Sequence, residues 1–227
     1  MTDLDRPTVL VFDVNETLLD ITVLEPLFTR LFGSATVLRE WFAELILYSQ
    51  TLTLSDIYTP FGALAGSMLR MVGANKGIDV TDADIAELKQ LFGQMPAHKD
   101  VAPALTVLRD AGYTLVTLTN SAPTPSPTPL ETAGIAGFFD HHFNVSEVEK
   151  FKPHRSVYDL VPKALNIPAS DMCMIACHIW DTIGAQAAGY QSAFIARAHN
   201  SVFDLPNVRK PDYVCGDLTE FAKRMTT

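Results

Sequence analysis

The chain has little of what marks several common protein classes. Basic residues are the scarce charge: 17 lysines and arginines stand against 26 aspartates and glutamates, a net charge of −9. Binding to nucleic acid or to an anionic membrane needs a basic footprint, so neither partner is expected and a small-molecule substrate is. No apolar run approaches the roughly 18 residues of a membrane span, and the opening MTDLDRPTVLVFD carries acid rather than a positive leader region. A soluble, cytoplasmic protein is the expectation. Cysteine is almost absent. Cys173, Cys177 and Cys215 are odd in number, and the first two lie four apart with no third ligand cluster beside them. This argues against a disulfide framework or a zinc site and predicts buried, reduced thiols. No repeat occurs, and 48% hydrophobic residues over 227 positions suffice for a packed interior.

The stretch TVLVFDVNETLLD, residues 8–20, begins as a β-branched, apolar strand of the kind covered on both faces and runs straight into a polar turn of Asp13, Asn15, Glu16 and Thr17. For some 75 residues after it the apolar spacing is three and four. LEPLFTRLF, TVLREWFAELILYSQTL, FGALAGSMLRMVG and TDADIAELKQLFGQM read as amphipathic helices, the last with Thr81 as N-cap, and a small bundle is the simplest way to bury their faces. From Val101 strands and helices alternate: VAPALTVLRDAG (helix, closed by Gly112), YTLVTLTN (strand), HHFNVSEV (strand), HRSVYDLVPKALN (helix), DMCMIACH (strand), TIGAQAAGY (helix), QSAFIAR and PDYVC (strands). The prolines of SAPTPSPTP, at every second position, predict an extended surface loop. The expectation is an α/β fold, a doubly wound parallel sheet over residues 1–20 and 96–227 with a helical cap, residues 21–95, inserted after the first strand.

In such sheets ligands bind at the carboxyl ends of the strands. The polar residues predicted there are Asp13, Thr119 with Asn120, Lys152, and His178 with Asp181. Each also has a plain structural reading. Asp13 and Asp181 are natural helix starters, Thr119 and Asn120 natural turn formers, Lys152 a loop residue before a proline, and His178 a core histidine. An arginine such as Arg39 on a helix is usually solvated. Trp41, Phe42, Phe61 and Phe138 read as core, and Cys177 and His178, adjacent on a strand, are expected to face opposite ways.

Taken together and in order, DVNETLLD, LTNS, KFKPHRSVY and IWDTIGAQAAG, with a helical insert after the first, resemble the haloacid dehalogenase superfamily and, within it, the L-2-haloacid dehalogenases. The resemblance covers nearly the whole chain. It implies hydrolytic dehalogenation of short 2-haloalkanoic acids such as haloacetate and L-2-halopropionate to 2-hydroxy acids, through an aspartyl ester on Asp13, with no cofactor and no metal; family members are often homodimers. Lys152 then keeps Asp13 ionised, Asp181 orients Lys152 or the attacking water, and Thr17, Thr119 and Asn120 hold carboxylates by hydrogen bonds. Tyr158 matches a position lining the site. A cap arginine receives the substrate acid in the family; its position falls on Phe42 here, with Arg39 one turn earlier. His178 stands where relatives have asparagine and offers a donor to halide or water.

Asn15 and Glu16 stand where these dehalogenases carry Tyr-Gly. In the superfamily's phosphatases the Asn15 position is an aspartate that protonates the leaving group. An amide cannot do so, whereas a halide leaves without a proton. A metal-dependent phosphatase with an altered first motif, or a catalytically silent small-acid-binding relative, are the alternatives.

Overall fold

The computed structural model describes residues 6–227. Strand β1 (Val9–Phe12) is fully buried, as its uninterrupted VLVF predicts for a strand covered on both faces. It lies at the centre of a six-stranded, all-parallel sheet in the order β3-β2-β1-β4-β5-β6, with β2 (Thr114–Thr119), β3 (His141–Asn144), β4 (Met172–Ala176), β5 (Gln191–Ile195) and β6 (Tyr213–Cys215). Chain order reverses across β1 and β4, which makes their carboxyl ends the natural ligand crevice.

Four helices intervene between β1 and the rest of the sheet: α1 (Glu25–Phe32), α2 (Val37–Leu54), α3 (Phe61–Asn75) and α4 (Asp82–Gly93). They pack mainly on one another through Phe28, Trp41, Phe92 and their neighbours, and the Trp41 indole donates to the Ala65 carbonyl at 3.0 Å. Thr81 caps α4 in a reciprocal box with Asp84, as its sequence predicts. The segments that leave and re-enter the sheet region run side by side: Asp20 N–H donates to Pro96 and His98 N–H to Leu18. None of the described helices alone is long and apolar enough to cross a membrane.

The remaining elements are α5 (Val101–Asp110), α6 (Pro129–Thr132), α7 (Arg155–Tyr158), α8 (Leu160–Leu165), α9 (Ile179–Ala187) and α10 (Leu218–Thr226). Four details differ from the sequence expectation. The strand predicted over 141–148 stops at Asn144, whose side chain accepts from Ser146 N–H and turns the chain into a short 3-10 helix. The helix predicted over 154–166 is broken at Asp159: Pro162 has no N–H to give the Tyr158 carbonyl four residues back, and that carbonyl accepts from the Tyr190 hydroxyl at 2.6 Å instead. The proline-rich loop ends early in α6, because Thr128 and Glu131 form a capping box around Pro129, the residue best tolerated in a first helical turn. Helix α10, unforeseen, starts on Asp217 and packs against α5. The three cysteines are buried and unpaired, as expected.

Candidate active site

The strands deliver their terminal residues to one crevice. Asp13 follows β1, Asn120 follows β2, and His178 and Asp181 follow β4, the last in the first turn of α9. Lys152 arrives on the turn after β3 and is held there three ways. Its N–H donates to Asn120 Oδ1 at 3.0 Å, the N–H of Phe151 donates to Thr53 Oγ1 of α2 at 2.9 Å, and the Phe151 ring packs on Tyr58 and Phe61. Gly184 of α9 passes this turn closely: a Cβ there would lie 2.5 Å from Pro153 Cβ and 2.6 Å from Tyr158 Oη.

The Lys152 ammonium is fully buried between two carboxylates, 3.0 Å from Asp13 Oδ1 and 2.7 Å from Asp181 Oδ2, and the Tyr158 hydroxyl donates to Asp181 Oδ1 at 2.7 Å. Burial would push Asp13 up, but Lys152, His178 and Thr17 outweigh it and hold its carboxyl well below its usual range. Burial also opposes the charge on Lys152, and Asp13 and Asp181 more than restore it. Asp181 moves the other way: burial and the charge on Asp13 raise it, although Lys152 and Tyr158 pull against them. Two carboxylates share one ammonium, and of the two Asp13 holds its negative charge more firmly.

The second Asp13 oxygen belongs to a different set of groups. Thr17 Oγ1 donates to Oδ2 at 2.8 Å, and its carbonyl is anchored by Arg197, which also clasps Asp100 at 2.9 Å through both carboxylate oxygens. His178 Nδ1 lies 3.3 Å from the same Oδ2, while its Nε2 lies 2.8 Å from Glu16 Oε2. Arg39 reaches in from α2 and pairs with the other Glu16 oxygen. The imidazole is clamped between the rings of Phe42, 5.5 Å away, and Trp180, 5.0 Å away, both stacked. Burial disfavours charge on His178; Cys177 and the carboxylates of Asp13 and Glu16 reverse this and raise it well above its ordinary 6.5. With both ring nitrogens facing carboxylates, the ring is an imidazolium that donates from each.

Glu16 was visible in the sequence only as a residue in a polar turn, and it is the member of this set that sequence reasoning missed. Its backbone is left-handed, φ 65°, a conformation that costs a side-chain-bearing residue about 1–3 kcal/mol. The buried pairings with Arg39 and His178 are what offset that cost. Its signal lay in two departures from the pattern that the motif resemblance implies, an acid at position 16 and a histidine at position 178.

Two expectations are corrected. Cys177 and His178 do not face apart, because β4 ends at Ala176 and strand alternation ends with it; Cys177 Sγ lies 3.6 Å from His178 Nε2. The second is one of extent: Phe42 and Phe61 are buried in the core as expected, and in addition one stacks on His178 and the other lines a cleft beside Asn15. Glu16, Cys177 and His178 bring a carboxylate, a thiol and an imidazole within 4.8 Å of one another, a donor set for a soft divalent ion. Those carboxylate and imidazole atoms already bond each other, and Arg39 pairs with the same carboxylate.

The other predicted residues lie close by. Asn15 donates from Nδ2 to Ser121 Oγ at 3.1 Å, and Thr119 Oγ1 accepts from Ser121 N–H at 3.1 Å. Both line the inner end of an apolar cleft between α3, α4 and the sheet. Asn120 is engaged with the Lys152 backbone, and Tyr158, fully buried, touches Asp181. The structure thus gathers Asp13, Thr17, Lys152, Asp181, Tyr158, His178 and Arg39 into one connected network, with Asn15, Thr119 and Asn120 around it.

A doubly wound sheet with an aspartate ending β1, a lysine ion-paired to it and an inserted helical unit is the architecture of one large class of hydrolases. The sequence profile of the haloacid dehalogenase-like hydrolases matches residues 7–189, and the chain belongs to that family. It is similar to the (S)-2-haloacid dehalogenase 2 of Pseudomonas sp. (strain CBS-3), 26% identical over 212 residues that make up 92% of each chain. The (S)-2-haloacid dehalogenase of Pseudomonas sp. (strain YL) is 26% identical over 160 residues, 70% of this chain and 69% of its own. A solved L-2-haloacid dehalogenase superposes with a TM-score of 0.91 over 98% of this chain and 100% of its own, at 25% identity.

Proposed function

We propose that the chain hydrolyses the carbon–halogen bond of 2-haloalkanoic acids, haloacetate and L-2-halopropionate among them, through an ester on Asp13. The observation that carries this reading is the Asp13–Lys152 pair, which keeps a buried carboxylate ionised beside Asn15, a residue unable to protonate a leaving group. In the first step an Asp13 oxygen forms a bond to C2 as the carbon–halogen bond breaks, and the halide departs with the bonding pair from the opposite side. Configuration at C2 inverts. In the second step water attacks Asp13 Cγ, and the bond from Cγ to the ester oxygen breaks. One water proton ends on the product hydroxyl. The other is taken by Asp181, the nearest carboxylate with raised proton affinity, and passes to solvent.

Arg39 and the His178 imidazolium supply the positive charge that the substrate carboxylate and departing halide require. Esterification removes the charge of Asp13 but not that of Lys152 or His178. One Asp13 oxygen carries C2 and the other becomes the oxyanion when water adds; Lys152 faces it if it is Oδ1, and His178 with Thr17 face it if it is Oδ2. The account is tested by halide release, read with an ion-selective electrode, from bromoacetate and each enantiomer of 2-chloropropionate, with no metal added. Release by the wild type and none by Asp13→Asn supports it; equal release by both sinks it.

A further inference from the structure

The cleft at the inner end of which Asn15 and Thr119 lie has a volume of about 660 Å³ and predominantly apolar walls. Phe61, Leu88 and Phe92 form its wall on the α3 and α4 side, and Leu130 and Phe143 its wall on the sheet side. A site of about 300–1,000 Å³ receives a drug-sized ligand. A haloacetate, with a handful of heavy atoms, leaves nearly all of this space unused. The charged groups of the site lie elsewhere, on the far side of Asp13 in Arg39, Glu16 and His178. Lys89, exposed on α4, and His142 also line the cleft, and the polar groups nearest Asp13 in sequence and contact are the amide and hydroxyls of Asn15, Thr119 and Ser121.

We propose, resting on the dehalogenase reading above, that this cleft receives a bulky apolar substituent on C2, so that the substrates are 2-halo acids bearing a ring or a long hydrocarbon arm. The acid head and the halogen must stay with the cations. Of the groups on C2 only the remaining substituent can grow without disturbing either, and the cleft begins at Val14 and Asn15, the two residues that follow Asp13. The rings of Phe61, Phe92 and Phe143 favour an aryl group, which packs edge-on or offset against aromatic neighbours.

The test uses two probes and two variants. Gly62 and Gly93 both line the cleft, and a Cβ at either would meet nothing within 4 Å, so Gly62→Phe and Gly93→Phe are the substitutions chosen to narrow it. The first probe is 3-phenylpropionate, which carries no halogen; it is expected to raise the melting temperature more than acetate does, and to lose that advantage in both variants. The second is 2-bromo-3-phenylpropionate, expected to exceed 2-bromopropionate in kcat/KM by about tenfold or more in the wild type, the worth of a buried ring. That advantage disappears in Gly62→Phe and Gly93→Phe, while 2-bromopropionate turnover stays near wild type. Stabilisation by phenylpropionate no greater than by acetate, or variants that slow both acids alike, would overturn the proposal. Halide release from none of the acids, with variant-sensitive stabilisation intact, would remove the dehalogenase reading and leave the aryl-acid cleft standing.

Discussion

The two oxygens of Asp13 face two regions built on different principles. On the Oδ1 side an ammonium sits between two carboxylates, backed by a tyrosine hydroxyl and the turn that Asn120 and Thr53 hold. The groups there come from the sheet's strand ends and from the turns and helices α7 and α9 that follow its strands, apart from the support of Thr53 on α2. On the Oδ2 side the chain runs Asp13, His178, Glu16, Arg39, alternating in charge and crossing from the sheet to α2, with the imidazole clamped between two aromatic rings. The first region holds Asp13 ionised. The second joins α2 to the strand ends and brings a second cation to Asp13, with Glu16 the residue that links Arg39 to His178.

Substitutions can break this comparison in a definite order. Lys152→Met carries the largest effect, because it removes the ammonium that two buried carboxylates share and leaves Asp181 with no cation beside it: a loss of about 3–5 kcal/mol in stability by denaturant titration, and turnover below detection. Glu16→Gln is next. It leaves Arg39 and His178 without their shared anion and lowers kcat/KM by about 10–100-fold, with less loss of stability than Lys152→Met. A double-mutant cycle of Glu16→Gly with His178→Asn sharpens it, with a coupling energy of about 1–3 kcal/mol expected and additive losses counting against a linked pair. Gly184→Ala has the smallest effect, about 1–3 kcal/mol of overpacking against Pro153 and Tyr158, falling on the Lys152 side alone.

The two sides also titrate apart. His178 has a folded value above its ordinary 6.5, so its contribution to stability is complete below 6.5 and is lost as pH climbs through the raised value. Asp13 has a folded value below 3.8, so its contribution is complete above 3.8 and is lost only as pH falls through the lower value. Melting temperature and kcat/KM should therefore decline together on the alkaline side, and His178→Asn should flatten that limb while leaving the acid one in place. An unchanged alkaline limb in His178→Asn would separate His178 from the charge it is assigned.

The Oδ1 side was legible in the sequence because it consists of residues at strand ends, and strand ends are readable from hydrophobic runs. Asp13, Lys152 and Asp181 stand in short motifs whose order along the chain carries the resemblance. Glu16 was not legible, because nothing in a single chain says that residues 16, 39 and 178 meet; their contact depends on how α2 lies over the crevice. Phe42, read as core, is buried as expected yet forms part of the site, since a helix face directed at a ligand crevice carries the same apolar pattern as one directed at a core. The break at Pro162 was written in the sequence, whereas the hydroxyl of Tyr190 that takes over the freed carbonyl was not.

The measurement that tests the account most directly is a single turnover of bromoacetate in ¹⁸O-water with enzyme in excess, followed by mass spectrometry of the glycolate and of the peptide containing Asp13. The ester route predicts unlabelled glycolate and the heavy oxygen in the Asp13 carboxylate. Label in the glycolate with none in Asp13 would mean that water attacks C2 directly, and would contradict the assignment of Asp13 as nucleophile.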